Sequence, residues 1–354
     1  MVRRKIDMTD PRAGATVGRP WSRRLFLSVT AAAAVAAVDS GCSLLGGSPN
    51  TDVKAAGNET LEKSKINVSL IPCTDVGPLW LAKKNGYFAA EGLDVTLVNK
   101  PNGPGVISSV FGGDADFGFA TYPVLVQAQL KTNGKQNLRV VADASAAKPD
   151  TTAVVVKKGS ALSRAEDLKG KRIAVTARGT MADLAVMAGL RAAKVDWSTV
   201  DWKQIGFADM LPKLESGEID AAFFAEPYVT IAQAQAGVTT VFQPLTGALD
   251  GIPLSGYMAT EKTTQEMPKT VAAFQRAIRK AQTEAATQQG DTEVKQTMVD
   301  NANVQPDIAP VIHLPSYPIS ADPTRLQRVP DLMQQFGLIN QKFDIKPMIL
   351  PQLS

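Results

Sequence analysis

The loop at residues 176–181 has side chains that could hold a small anion. It is predicted to join a strand, residues 171–176, to a helix that begins near Thr180. The start of a helix offers unpaired backbone N–H groups and a partial positive charge, both of which attract anions. Thr180 would add a hydroxyl group beside Met181, and Arg178 could hold a sulfonate or carboxylate through two parallel hydrogen bonds. Alternatively, Thr180 only caps the helix and Arg178 is solvated.

A second group of candidates follows the first predicted strand, residues 65–71. Thr74 and Asp75 lie in the loop that leads to the first helix, and Trp80 lies in that helix. Asp75 could accept a hydrogen bond from a ligand amine, but it suits the start of a helix equally well. Trp80 could cover an apolar part of a ligand, or it could belong to the protein core.

A pattern of sequence occurs twice, as GGDADFGFATYP at residues 112–123 and as SGEIDAAFFAEP at residues 216–227. Each copy has a Gly, an Asp three residues later, a short apolar run and a Pro. The apolar run is typical of a buried parallel strand, and the Gly suits the end of a preceding helix. The repeat predicts two similar halves, in which Asp116 and Asp220 satisfy backbone groups in turns.

The residues that end the two copies are further candidate ligand contacts. Thr121 and Tyr122 offer hydroxyl groups in the first half, and Glu226 offers a carboxylate in the second. Three roles are open for Glu226: it pairs with Arg178 across a cleft, it binds a ligand amine, or it suits the start of the next helix. Tyr257 lies near the predicted return to the first half and belongs to either a hinge or the pocket.

Catalytic groups are sparse in this sequence. His313 is the only histidine, and it lies among prolines far from Cys73. There is no cluster of Cys and His residues with metal-ligand spacing, and no phosphate-binding motif of the Walker A type. We therefore expect neither an enzyme nor a bound metal or cofactor. A surface protein that binds only other proteins is a third class that the sequence leaves open.

Residues 1–41 have the features of an export signal. The segment SRRLFL at residues 22–27 matches the twin-arginine pattern, and the Ala-rich apolar stretch after it is shorter than the ~20 residues that span a bilayer. Small residues before Cys42 resemble a lipoprotein cleavage site, in which that cysteine becomes the lipidated N-terminus. Asp39 departs from this pattern, which normally has an aliphatic residue there. The alternative is ordinary cleavage near Ala36 or an uncleaved leader.

The chain after the leader is neutral. Of the 38 basic and 34 acidic residues, seven basic and three acidic ones lie in residues 1–41, which leaves equal numbers from Cys42 onward. This balance excludes the basic surface that nucleic-acid binding needs. Residues 42–64 are rich in Gly, Ser, Asn and Asp and are expected to form a flexible tether. Cys73 is the only other cysteine, so no intrachain disulfide is expected.

Strands and helices alternate along residues 65–242, which predicts an α/β fold with parallel or mixed sheets. In open sheets of this kind, ligands bind beyond the carboxyl ends of the strands. The loops named above are therefore expected to face one another across a cleft. Residues 264–289 predict a long amphipathic helix, and the proline-rich remainder predicts two or three short ones.

Several segments together resemble a known family. They are an apolar helix with Gly-Tyr-Phe at residues 79–88, Glu-Gly-Leu-Asp-Val at residues 91–95, DLKGKRIAV at residues 167–175 and Glu-Pro-Tyr at residues 226–228. These segments resemble the nitrate/sulfonate/taurine family of ABC-transporter periplasmic substrate-binding proteins. That family also includes binding proteins for thiamine-precursor pyrimidines.

The resemblance implies a two-lobed periplasmic-binding-protein fold of type II, in which each lobe is a mixed sheet flanked by helices. Two crossing strands would join the lobes, near Thr151–Lys157 and Pro244–Tyr257. The first lobe would be residues 65–150 completed by residues 251–354, and the second would be residues 151–250. A small ligand would be captured between them and passed to an ABC permease and its ATPase. The protein would be an exported monomer, either lipid-anchored on the outer face of the cell membrane or periplasmic.

Two ligand classes are open. The leading class is a small oxyanion such as an aliphatic sulfonate, taurine or nitrate, held by Arg178 and the helix start at Thr180. The alternative is a thiamine-precursor pyrimidine or a related heterocycle. This alternative is favoured if Trp80 and the tyrosines line the cleft and Glu226 binds a ring amine.

Overall fold

A computed structural model describes residues 60–351 of the chain. In chain order, its strands are β1 (Lys65–Leu70), β2 (Asp94–Asn99), β3 (Phe117–Thr121), β4 (Leu138–Ala146), β5 (Thr152–Val156), β6 (Arg172–Val175), β7 (Asp201–Gln204), β8 (Ala221–Ala225), β9 (Thr239–Phe242) and β10 (Pro253–Thr260). The helices are α1 (Gly77–Lys84), α2 (Tyr87–Ala90), α3 (Gly103–Phe111), α4 (Tyr122–Lys131), α5 (Met181–Ala192), α6 (Phe207–Ser216), α7 (Tyr228–Ala236), α8 (Glu261–Glu266), α9 (Pro268–Ala285), α10 (Gln288–Asn301) and α11 (Pro323–Gln335).

The strands form two five-stranded sheets, one in each lobe. The first sheet has the order β2-β1-β3-β10-β4, and the second has the order β7-β6-β8-β5-β9. In the first sheet β10 runs antiparallel to β3 and β4, and in the second β5 runs antiparallel to β8 and β9. The other pairs, β1 with β2 and β3 and β6 with β7 and β8, are parallel. These two mixed sheets confirm the predicted two-lobed α/β fold.

Two segments connect the lobes and form a paired hinge. Residues 147–151 run from β4 to β5, and residues 243–252 run from β9 to β10. The segments are hydrogen-bonded to each other, because the N–H of Ala147 donates to the carbonyl of Ile252 at 2.9 Å. The expected crossings extended further along the chain, into residues that here belong to β5 of the second sheet and β10 of the first.

The repeated motif places two aspartates in the same structural role. Asp116 Oδ2 accepts a hydrogen bond from the N–H of Asn67 in β1 at 2.9 Å, and Asp220 Oδ2 accepts one from the N–H of Arg172 in β6 at 2.8 Å. Hydrogen bonds from the Arg172 side chain lower the pKa of the Asp220 carboxyl. In each lobe, a carboxylate at the start of one parallel strand therefore ties it to the neighbouring strand.

The single helix predicted at residues 264–289 is wrong, because two breaks divide this stretch. Pro268 lacks a backbone N–H and is the first residue of α9, which follows the short α8. Thr287 then caps α10 with its side-chain oxygen. The predicted apolar face is present in α9, where Phe274 is buried and stacks on Phe117 of β3 with ring centroids 4.4 Å apart.

Residues 1–59 lie outside the described part of the chain, and with them the predicted leader and the lipidation site Cys42. The last residues of the predicted tether belong to the first lobe, since Glu62 Oε2 accepts a hydrogen bond from the N–H of Thr270 at 3.0 Å. Within residues 60–351, no helix is both long enough and apolar enough to cross a membrane.

Candidate functional site

A cavity of about 70 Å³ lies between the two lobes, with room for several water molecules and hence for a small solute. Its hydroxyl groups come from five threonines: Thr121, Thr151, Thr152, Thr176 and Thr180. Its apolar surface includes aromatic and aliphatic side chains: Phe119, Phe207, Phe223, Ile71, Val124, Met181, Leu245 and Leu254. Cys73 and Asp75 also line it, and among the described lining residues there is no Lys, Arg or His.

The sheet topology explains why these residues meet. Thr121 ends β3, Thr176 follows β6 and Phe207 lies just beyond β7, so all three are at carboxyl ends of parallel strands. Thr152 begins the antiparallel strand β5 and pairs with Ala225 at the end of β8. The start of β5 therefore lies at the same edge of the sheet as the ends of its parallel neighbours.

Asp75 is the acidic group of the cavity. It lies in the single turn Thr74–Val76 after β1 and is 9% exposed. Its Oδ1 accepts hydrogen bonds from the hydroxyls of Ser145 at 2.5 Å and Ser255 at 3.3 Å. Burial raises the pKa of the Asp75 carboxyl, because the ionised form loses its hydration. Burial and the nearby carboxylate also raise the pKa of the Cys73 thiol well above its usual range, so the thiol is neutral.

The start of α5 already binds a carboxylate, that of Asp183. This fully buried side chain accepts hydrogen bonds from the N–H of Gly179 at 2.8 Å and the N–H of Thr180 at 2.7 Å. Thr180 caps the helix by accepting a hydrogen bond from the N–H of Ala182 at 3.2 Å. Asp183 thus binds the N–H groups just before the helix, while the first two helical N–H groups donate to the hydroxyl oxygens of Thr121 and Thr180. The Thr-x-x-Asp spacing of such a capping box is visible in the sequence.

Arg178 interacts with the same carboxylate. Its Nε lies 2.9 Å from Asp183 Oδ2, and its guanidinium lies over the ring of Trp202, 4.3 Å from the centroid. The side chain is 38% exposed and lines an outer groove beside Gln127, not the interlobe cavity. The structure does not bring Arg178 to the cavity, because a buried carboxylate and an aromatic face hold it elsewhere.

Glu226 is buried at a junction of both lobes. Its carboxylate accepts hydrogen bonds from the N–H and the hydroxyl of Thr230, at 3.0 and 2.6 Å, and from the N–H of His313 at 3.2 Å. Its backbone carbonyl accepts one from the N–H of Thr74 at 3.0 Å. Burial raises the pKa of the Glu226 carboxyl. Glu226 and Thr74 therefore join the lobes and do not line the cavity.

The three aromatic candidates are buried in the first lobe. Trp80 packs in the core on α1, and the Tyr122 hydroxyl donates to Asp143 Oδ1 at 2.8 Å. Tyr257 packs against Phe119 with ring centroids 5.9 Å apart, and its hydroxyl has no hydrogen-bond partner among the described residues. None of the three lines the cavity. Of the ten predicted ligand contacts, the structure brings four to it: Asp75, Thr121, Thr180 and Met181.

Sequence reasoning missed the threonines of the hinge and the phenylalanines. Thr151 immediately precedes strand β5 and Thr152 begins it, whereas the candidate loops all follow strands. Phe119 and Phe223 occupy matching positions of the repeated motif, each three residues after its aspartate, so the repeat itself was the signal. Within residues 60–351, no three Cys, His, Asp or Glu side chains come together where they could hold a metal ion.

The two lobes are in direct contact across the cavity. The N–H of Met181 donates to Thr121 Oγ1 at 3.4 Å, and Gln127 Nε2 donates to the carbonyl of Gly179 at 3.3 Å. Each hydrogen bond joins a residue of the first lobe to the loop before α5 or its first residue. The lobes therefore meet on this side of the cavity.

Two mixed sheets joined by a paired hinge around a cavity define the periplasmic-binding-protein fold. The alkanesulfonate-binding protein SsuA from Xanthomonas axonopodis pv. citri, solved with bound MOPS, shares it with a TM-score of 0.69 and 18% identity, over 82% of this chain and 99% of SsuA. The sequence model of the NMT1/THI5-like family matches residues 73–291. The chain belongs to the NMT1/THI5-like family.

Two curated relatives match over parts of their length. The nitrate/nitrite-binding protein NrtA of Nostoc sp. (strain PCC 7120) is 34% identical over 97 residues, which are 23% of this chain and 22% of NrtA. The riboflavin-binding protein RibY of Chloroflexus aurantiacus is 24% identical over 225 residues, which are 62% of this chain and 61% of RibY. The chain thus covers less than two thirds of either relative.

Proposed function

We propose that this protein is the substrate-binding component of an ABC import system and that it captures a small heterocycle between its lobes. The observation that carries the ligand class is the charge of the cavity, in which Asp75 is the one charged side chain among the described lining residues. The relatives include an anion-binding protein, NrtA, and a heterocycle-binding protein, RibY. The chemistry of the cavity favours the second class.

An oxyanion in this cavity would lack a partner of opposite charge. Removing such an ion from water costs several kcal/mol unless it is paired and hydrogen-bonded. The two groups expected to stabilise it have other partners: Arg178 pairs with Asp183, and the first N–H groups of α5 donate to threonine hydroxyls. Asp75, when ionised, would also repel an anion. These arguments count against nitrate and a simple aliphatic sulfonate. The ammonium group of taurine could pair with Asp75, but its sulfonate would still lack a partner of opposite charge.

A flat ring without negative charge has suitable partners here. Phe119 and Phe223 contribute aromatic surface from the two central strands, and Phe207 adds a third ring. Threonine hydroxyls can fix the orientation of ring nitrogens and exocyclic groups. Asp75 can accept a hydrogen bond from a ring amine. A thiamine-precursor pyrimidine, which has such an amine, is the representative ligand of this class.

A thermal-shift panel tests this proposal. The panel compares taurine, ethanesulfonate, nitrate and bicarbonate with 4-amino-5-hydroxymethyl-2-methylpyrimidine and riboflavin. A ligand at a hundred times its Kd stabilises the folded protein by about 2.7 kcal/mol, which is readily measured as a rise in Tm. We expect a rise with a heterocycle and none with the oxyanions. A rise with ethanesulfonate or nitrate, and none with a heterocycle, would reject the ligand class.

We also propose that the protein is exported as a monomeric lipoprotein and hands its ligand to an ABC permease and its ATPase. The support is the twin-arginine pattern at residues 22–27 and the small residues before Cys42, all outside the described residues. Labelled palmitate should be incorporated into the wild type and not into Cys42→Ser. Equal labelling of both forms, or none of the wild type, would contradict the lipid anchor.

A further inference from the structure

Asp75 connects the cavity to both strands that lead into the hinge. Ser145 lies near the end of β4, from which the first connecting segment departs, and Ser255 lies near the start of β10, to which the second one returns. Both hydroxyls lie within hydrogen-bond distance of Asp75 Oδ1, and they are 2.6 Å from each other. The carboxyl group is therefore held at a fixed place on the hinge side of the cavity wall.

No cationic side chain neutralises this carboxyl group among the described residues that line the cavity. Its side-chain partners are the hydroxyls of Ser145 and Ser255 and the neutral thiol of Cys73. Burial raises the pKa of the Asp75 carboxyl, because the ionised form loses its hydration. A ligand that brings N–H donors or a positive charge would supply what this group lacks, whereas an anionic ligand would be repelled.

We propose that Asp75 is the specificity-determining residue of the cavity: it selects ligands that direct an amidine or aminoheterocycle N–H toward it. Ser145 and Ser255 are its positioning residues. Their hydrogen bonds link the carboxylate to β4 and β10, the two strands that lead into the hinge. This inference rests on the proposed function, since it names the residue that distinguishes ligands by their charge. The N–H to carboxylate bond is charge-assisted, which makes it strong enough to dominate selection in a dry cavity.

Three probes of one shape and different charge test the inference. Benzamidine is a cation, benzamide is neutral and benzoate is an anion, and all three carry a planar head on a six-membered ring. Ligand-observed NMR titration measures weak affinities of this kind. For the wild type we expect benzamidine to bind at least tenfold more tightly than benzoate, with benzamide between them.

Asp75→Asn keeps the shape of the side chain and removes its charge. In this variant we expect benzamidine to lose its advantage over benzamide. Ser145→Ala should reduce the same ratio while benzamide binding changes little, which a general loss of structure would not produce. Asp94→Asn is the matched control, because it removes an exposed acid at the start of β2. Asp75 lies beyond the other end of the neighbouring strand, β1. The control should keep the wild-type ratio.

The outcomes separate this inference from the proposed function. A wild type that binds the pyrimidine but ranks the three probes equally overturns only the role of Asp75. If Asp75→Asn keeps the wild-type ratio of benzamidine affinity to benzamide affinity, the role of Asp75 is likewise overturned. A wild type that binds neither the pyrimidine nor the probes overturns both.

Discussion

The backbone N–H of Met181, the first residue of α5, donates a hydrogen bond to the hydroxyl oxygen of Thr121, the last residue of β3, over 3.4 Å. The two residues belong to different lobes, and both line the cavity. Gln127 and Gly179 make a second contact of this kind nearby. Two long hydrogen bonds near the start of α5 thus join the lobes beside the cavity, and mutation of either can test their contribution to closure.

Gly179→Ala is expected to weaken lobe closure. Gly179 has a φ of +75°, and a Cβ at this position would lie 2.2 Å from Gln127 Nε2. An alanine must therefore displace the Gln127 side chain and break its hydrogen bond. We expect the affinity for the pyrimidine to fall roughly tenfold, or about 1.4 kcal/mol, in calorimetric titration.

Gly217→Ala is the control for backbone strain. Gly217 has a φ of +77° with nothing within 4 Å of an added Cβ. Both variants should lose roughly 1–2 kcal/mol of stability from the left-handed backbone, and only Gly179→Ala should lose affinity. Equal affinities of the two variants would mean that the contact with Gln127 does not support closure.

Asp183→Ala is expected to create an anion site at the start of α5. The substitution removes the acceptor of two backbone N–H groups and of Arg178, which should cost about 3 kcal/mol or more of unfolding free energy. Nitrate or acetate can then occupy the vacated position and should raise the Tm of the variant more than that of the wild type. Asp209→Ala removes an exposed acid and serves as the control. A uniform response of all three proteins to these anions would contradict our account of α5.

Arg178→Ala is expected to leave ligand affinity unchanged. The guanidinium lies over Trp202 and beside Asp183, outside the cavity. We expect a loss of about 1 kcal/mol of unfolding free energy from the missing hydrogen bond and cation–π contact, measured by urea denaturation. A tenfold loss of affinity for any ligand would return Arg178 to the binding site.

Asp75→Asn is expected to stabilise the ligand-free protein at neutral pH. Because burial raises the pKa of Asp75 in the folded state, the folded protein binds the proton more tightly than the unfolded chain does. This contribution is complete below the ordinary Asp pKa of about 3.9 and is lost as the pH rises through the elevated value. The free energy of unfolding of the variant should therefore be higher than that of the wild type at pH 7, where the wild-type carboxyl is ionised in the unfolded chain.

The stability gap between Asp75→Asn and the wild type should narrow as the pH is lowered. Urea unfolding of both proteins at a series of pH values measures it. A variant that is less stable than the wild type at neutral pH would show that the ionised carboxylate is well accommodated. A gain in stability together with a loss of ligand selectivity would mark Asp75 as a functional residue kept at a cost to the fold.

The fold could be predicted because its signals are local. The two copies of the motif became β3 and β8, which lie at equivalent places in the two sheets. Phe119 and Phe223 follow from the same repeat, since a period of two along a strand fixes which side chains share a face. The boundaries of α8, α9 and α10 also have local signals, in Pro268 and Thr287. The apolar residues at helical spacing nevertheless favour one continuous helix across these boundaries.

The cavity could be predicted only in part, because side-chain pairing depends on residues far apart in sequence. Whether Arg178 meets a ligand or Asp183 is decided by packing against Trp202 in β7. Glu226 binds Thr230 in the first turn of α7, which corresponds to one of the three roles predicted for it, but its contact with His313 joins residues far apart in sequence. Asp75 was predicted as an acceptor for an amine or as a helix cap, and only the positions of Ser145 and Ser255 show how it is held.

The account depends most on the sign of charge that the interlobe cavity accepts. Isothermal titration calorimetry of the purified protein with 4-amino-5-hydroxymethyl-2-methylpyrimidine and, separately, with ethanesulfonate and nitrate measures this directly. We predict saturable binding of one pyrimidine per chain and no heat of binding with either anion. Saturable binding of ethanesulfonate or nitrate to the wild type, with none of the pyrimidine, would contradict the account.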